Sequence, residues 1–177
     1  MKNLRKITTT AILAAVSVVL VALIHFPIFP AVSFLEYDPA DIPILICGFA
    51  FGPAAGIIVT IIAAVIQGIT VSAASGIYGI LMHIIATTAF VLVSSLIYKK
   101  NKTKKTAVIS IAAGVIAMTA VMIPANLFIT PYFMGCERQL VVTLLPFIIL
   151  FNFIKAGING TVTFLIYKKI SYLIHKQ

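Results

Sequence analysis

The sequence predicts an all-α integral membrane protein, a single bundle of six transmembrane helices with both termini in the cytoplasm. Three observations carry that expectation. Of 177 residues, 62% are hydrophobic and only 10% charged, with a mean hydropathy of +1.17, whereas soluble domains are about a quarter charged. The apolar runs are continuous rather than alternating, which selects helices over membrane strands. At roughly 20 residues per span the chain has room for about six helices and no soluble domain beside them. Third, the charges are segregated. Basic residues gather in 1–7, 99–106 and 168–177, leaving only Arg138 and Lys155 elsewhere, and all four acids lie outside those segments. Placing the basic segments inside satisfies the positive-inside rule. The net charge of +9 therefore points to an anionic lipid surface, and nucleic acid is not the expected partner.

The elements follow in order. KNLRK and the apolar run after it imitate a signal peptide, but the run reaches Phe29 without a small-x-small cleavage site, so it is read as the first helix, about Thr8 to Phe26. Pro27 and Pro30 close it. An outer loop over 30–41 carries Glu36, Asp38 and Asp41. A short second helix, Ile42 to Phe51, ends at Gly52-Pro53; ten residues cannot span the hydrocarbon unaided. The third helix runs from Ala54 to Ile69 and the fourth from Ile77 to Tyr98, before the basic cytoplasmic loop over 99–106. The fifth covers Ala107 to Phe128, and an outer loop from Thr130 to Gln139 precedes the sixth, which holds Val141 to Tyr167.

Chemistry is sparse. The chain has no phosphate-binding loop, no zinc-protease or nucleophile-elbow motif and no paired carboxylates within a helix, so no enzyme activity is expected. Cys47 and Cys136 lack metal-ligand spacing, and His25, His83 and His175 fall at different depths, so no metal site is expected either.

The exceptional residue is Lys155, at the centre of the last apolar run. A lysine there costs about 2.5 to 3.5 kcal/mol, and its stem cannot reach about 18 Å to either interface. It must face a polar interior. Asn152 and Asn159 share its helical face. Asn126 follows Pro124 in the fifth helix, Gln67 sits toward the outer end of the third, and His83 lies two turns into the fourth. Together they predict a pocket opening outward. With all acids assigned to loops, no acid within the membrane is available to Lys155, and a ligand carbonyl or anion is expected to satisfy it. On the first helix, Ala11, Ala14 and Ala15 lie on one side, and Ala11-x-x-x-Ala15 permits close approach of another helix.

FLEYDPADIPILICGFAFGPAAGI, Ala11-x-x-x-Ala15, PANLFITPYFMG and FNFIKAGINGTVTFLIYKKIS together resemble the substrate-binding S component of energy-coupling factor (ECF) vitamin transporters. The FNFIKAG stretch with its upstream Asn126 resembles the riboflavin-specific subgroup. The resemblance spans nearly the whole chain. It implies a six-helix bundle that binds riboflavin near its outer face as a transported ligand, with no cofactor. Asn126 and Lys155 would hydrogen-bond the isoalloxazine ring, Tyr37, Phe128 and Tyr132 could cover it, and the loop over 30–41 would act as a lid. Ala11 and Ala15 would dock a transmembrane coupling subunit driven by two cytosolic ATPases. His83 and Tyr78 match nothing in the pattern, so the ribityl contacts stay unassigned. FMN, pantothenate or a thiamin precursor on the same fold are the alternatives; a small membrane enzyme acting on lipids is the alternative from another class. Richness in Lys and Ile fits the plasma membrane of a low-GC bacterium.

Overall fold

The structure, a computed structural model, describes residues 2–175, with side chains over 4–169. Met1, Lys176 and Gln177 lie outside the described residues, and with them the end of the basic tail over 168–177. Six helices form among the described residues: α1 (Lys2–Leu23), α2 (Asp41–Phe51), α3 (Pro53–Ile69), α4 (Gly76–Lys100), α5 (Lys104–Met134) and α6 (Arg138–His175). Four of them supply apolar segments long enough to cross a membrane: Leu4–Leu23, Ala73–Lys100, Lys104–Met134 and Arg138–Lys169. The bundle thus has the six helices expected, four of them long and apolar, with α2 and α3 shorter at 11 and 17 residues.

The reason α2 is short lies in where it starts. Asp41, its first residue, meets Thr87 near the middle of α4 and Asn159 near the middle of α6. The chain therefore descends into the bundle as non-helical backbone and turns helical only at that level. Irregular backbone at such depth is tolerated where protein surrounds it, and Asp41 through Phe49 are all buried. At 1.5 Å per residue, α2 covers about 16 Å. It packs on α1, α3, α4 and α6, and being apolar on every side it suits a central position. Near its end the Phe49 ring meets Tyr98 and Tyr167 at 4.5 and 5.5 Å. Gly52 then reverses the chain at φ +93°, where a side chain would be strained, and Pro53 opens α3 with its φ already set.

Two helix ends differ from expectation for one reason. The expected stop at Phe128 and loop from Thr130 fail because α5 continues through Pro131 to Met134, closing on Gly135 at φ +61°. Proline removes one backbone hydrogen bond but does not end a helix whose neighbours still pack. Likewise α6 begins at Arg138 and carries Pro146 inside it.

The segment between α1 and α2 is folded. Phe26–Pro27 (β1) and Glu36–Tyr37 (β2) pair antiparallel, with Phe26 opposite Tyr37, and Pro30–Val32 makes a 3-10 turn between them. Val32 is fully buried against Val141 and Ile148 of α6, with Phe29, Phe34 and Leu35 around it. The expected lid over 30–41 is thus anchored to α6 by an apolar plug.

Candidate ligand-binding site

A cavity of about 130 Å³ lies beneath this segment. The loop contributes Phe34, Leu35, Glu36 and Asp38; α3 contributes Gln67; α4 contributes Met82, His83 and Thr87; α5 contributes Met118 and Met122; and α6 contributes Phe151, Asn152 and Lys155. A smaller compartment of about 70 Å³ adjoins it, lined by Tyr78, Asn126, Thr130 and Phe133. Phe34, Met82 and Met122 border both compartments. Methionine side chains are adaptable fillers, so this partition is soft.

The expected environment of Lys155 is overturned. Its Nζ donates to Asp38 Oδ2 at 2.7 Å, and both side chains are buried. Asp38 and Asp41, assigned from sequence to an outer loop, lie inside the bundle because the chain descends before α2. Asn159 is the hub of the network. Its amide nitrogen donates to the Asp38 carbonyl oxygen at 2.9 Å and to Asp41 Oδ2 at 3.0 Å. Its oxygen accepts from the Tyr37 hydroxyl at 3.0 Å, and the Thr87 hydroxyl donates to Asp41 Oδ1 at 2.6 Å. Buried polar groups are tolerated when mutually satisfied in this way.

Among the expected site residues, the main cavity brings together Lys155, Asn152, His83 and Gln67, while Asn126 lines the adjoining compartment. Asn152 and Asn126 each donate to the carbonyl four residues earlier, Ile148 and Met122, at 2.8 Å, and Asn126 accepts from Thr130 at 2.9 Å. Two buried atoms in the main cavity have no protein partner, Gln67 Oε1 and His83 Nε2. Such groups are costly unless something binds them.

The aromatic expectations are corrected. Phe128 and Tyr132 are 59% and 76% exposed and line neither compartment; Arg138 stacks on Phe128 at 4.8 Å. Because α5 continues, Phe128 and Tyr132 share one face while Asn126, Thr130 and Phe133 share another. The rings at the cavity are Phe34, Phe133, Tyr78 and Phe151, with Phe133 6.2 Å from both Phe34 and Tyr78. A fifth helix carried past Pro131 would have shown this face in the sequence. Tyr37 lines neither compartment; its ring lies 5.4 Å from Phe26 and its hydroxyl donates to Asn159. On α1, Ala14 is 5% exposed and sits in the core, so it is withdrawn from the expected partner surface, whereas Ala11 and Ala15 face outward.

The fold that holds this polar site matches a defined class. The chain belongs to the ECF transporter substrate-specific component family, whose model matches residues 5–167. A solved structure described as the S component of a bacterial ECF transporter superposes with a TM-score of 0.84, at 28% identity over 99% of both chains. Among curated relatives, the riboflavin transporter FmnP of Bacillus subtilis is 32% identical across 99% of this chain and 96% of its own. The riboflavin transporter RibU of Staphylococcus aureus is 27% identical across 99% and 95%.

Proposed function

We propose that this chain is the riboflavin-binding subunit of an ECF-type importer in a bacterial cell membrane. It captures the vitamin at the outer face and works with a transmembrane coupling subunit and two cytosolic ATPases. The observation that carries the reading is the set of polar groups converging on one outer-half cavity, Lys155, Asn152, His83 and Gln67, beside an apolar compartment walled by Phe133 and Tyr78. A flat amphipathic ring with a carbonyl-bearing edge and a hydroxylated arm needs such a division. One N–H of Lys155 serves Asp38; an ammonium has three, and the others are free to meet ring carbonyls. The unpartnered Gln67 and His83 atoms suit the hydroxyls of the ribityl arm. Asn126 reaches the ring once the methionine partition yields.

The balance of charge bears on the alternatives. Lys155 already has a carboxylate partner, which removes the reason for a pantothenate-like acid, and Arg138, on the outer surface over Phe128, offers an FMN phosphate in the cavity nothing. In this reading both termini are cytoplasmic, all six helices lie in the membrane and the chain catalyses no reaction of its own. The lid is the segment from Pro30 to Asp41, and Ala11 and Ala15 form the face for the coupling subunit.

The test is a riboflavin titration of the protein purified in detergent, read by flavin fluorescence and by the absorbance of any flavin carried through purification. Saturable one-to-one quenching is expected, with pantothenate unable to compete. A colourless protein that leaves riboflavin fluorescence untouched would sink the assignment.

A further inference from the structure

We infer that Asp38 is a positioning residue of the ligand site: its carboxylate holds the Lys155 ammonium at the cavity wall, and Asn159 in turn holds the backbone that carries Asp38. The inference rests on the riboflavin reading only for its affinity readout.

The segment over 26–41 is secured unequally. From Phe26 to Glu36 it is held by a two-residue strand pair and the apolar plug around Val32. From Tyr37 to Asp41 it is bound by polar contacts from three helices. Ser17 of α1 donates to the Ala40 carbonyl oxygen at 3.2 Å, Thr87 of α4 donates to Asp41, and Asn159 of α6 engages Tyr37, Asp38 and Asp41. The second half is therefore a fixed wall. Asp38 is fixed even within it: Oδ1 accepts from the Ala40 N–H at 3.0 Å, which leaves Oδ2 aimed at Lys155.

Lysine is a point charge on a flexible stem. Without a fixed counter-charge it would not keep one position beside a bound ring. The charged groups that face it are Asp38 and Asp41, with His83 across the cavity. Asp41 is bound to Thr87 and Asn159, and His83 is no counter-charge to an ammonium in either protonation state, so Asp38 holds the ammonium directly.

The experiment measures riboflavin affinity and thermal midpoint together for wild type, Asp38→Glu, Asp38→Asn, Lys155→Met, Asn159→Leu and the double variant Asp38→Asn/Lys155→Met. Losing one partner of a buried charge pair weakens binding by about 30-fold or more, and that is expected for Asp38→Asn. Asp38→Glu recovers most of the affinity, which a merely structural role would not predict. The double variant regains the midpoint lost in Asp38→Asn, because no buried charge is left unpaired, yet does not regain affinity. Asn159→Leu weakens binding in the same direction. Asp38→Asn binding within about threefold of wild type would overturn the inference, since the pair coupling is expected to exceed that. Equal losses for Asp38→Asn and Asp38→Glu would overturn it too. If wild type binds no riboflavin, the flavin reading fails, and the midpoints still decide whether Asp38 holds Lys155: additive losses in the double variant mean that it does not.

Discussion

In the proposed orientation, the outer and cytoplasmic halves of the bundle use the same helices for opposite ends. In the outer half, α3 to α6 part around a cavity, and Asp38, Asp41 and Lys155 bury charge among them, with Asn159 bonded to the acidic segment. In the cytoplasmic half α2 fills the centre. There Phe49, Tyr98 and Tyr167 close on one another, with the Tyr98 and Tyr167 rings 5.8 Å apart, and glycines bring helices together. A side chain at Gly114 would run into Ser94 and Phe90, and one at Gly48 into Ser95 and Val91. Small residues at helix crossings are how membrane helices pack closely. One half is built to yield to a ligand and the other to stay shut.

That division can be broken from either side. The largest effect is expected from Lys155→Ala, which removes the donor and strands Asp38 in the bundle. Riboflavin binding should fall by about 100-fold or more, with a lower thermal midpoint, because orphaning a buried charge costs about 3 to 5 kcal/mol. A titration that still saturates near wild-type concentrations would contradict the assignment of the outer half. In the cytoplasmic half, Gly114→Leu should lower stability by about 1 to 3 kcal/mol through overpacking, while the folded fraction binds flavin as wild type does. Combined thermal and titration data would separate the two; loss of affinity at unchanged stability would mean the halves are coupled.

A smaller change sharpens the boundary of the site. His83→Ala should weaken riboflavin by about five- to tenfold, the worth of one neutral hydrogen bond in a buried setting. On the outward face of α1, Ala15→Leu should leave flavin affinity in detergent unchanged and reduce uptake by cells, since it alters only the surface offered to a partner. Smallest of all, Phe128→Ala and Tyr132→Ala should stay within about twofold of wild type in affinity, as exposed side chains away from special features do.

Much of this was legible in the chain. Apolar runs of 20 or so residues dictate membrane helices, and Gly52-Pro53 marked the α2–α3 turn. Lys155, Asn152, His83 and Gln67 stood out because a polar residue in an apolar run must face something polar. Asp38 and Asp41 were hidden by the same logic. They stand in a polar stretch, FLEYDPAD, that reads as solvent-exposed, and nothing local shows the chain descending before it turns helical. Their partners on α6 are more than a hundred residues away and Thr87 is 46 from Asp41, distances no helical period bridges. Phe133, the ring that α5 brings to the cavity, was missed through Pro131, where the expected loop broke the i, i+4, i+7 face that links Asn126, Thr130 and Phe133.

The span between Asp38 and Lys155, 117 residues along the chain, also orders the protein's biogenesis. When the ribosome has delivered α1 to α5, Asp38 and Asp41 have neither Lys155 nor Asn159 to meet. Two carboxylates have no reason to leave water at that stage. The contacts of Asp38 and Asp41 with α6 therefore form only after α6 has been made. A nascent chain stalled before Lys155 carries α1 to α5 without the ammonium or the Asn159 amide of the site.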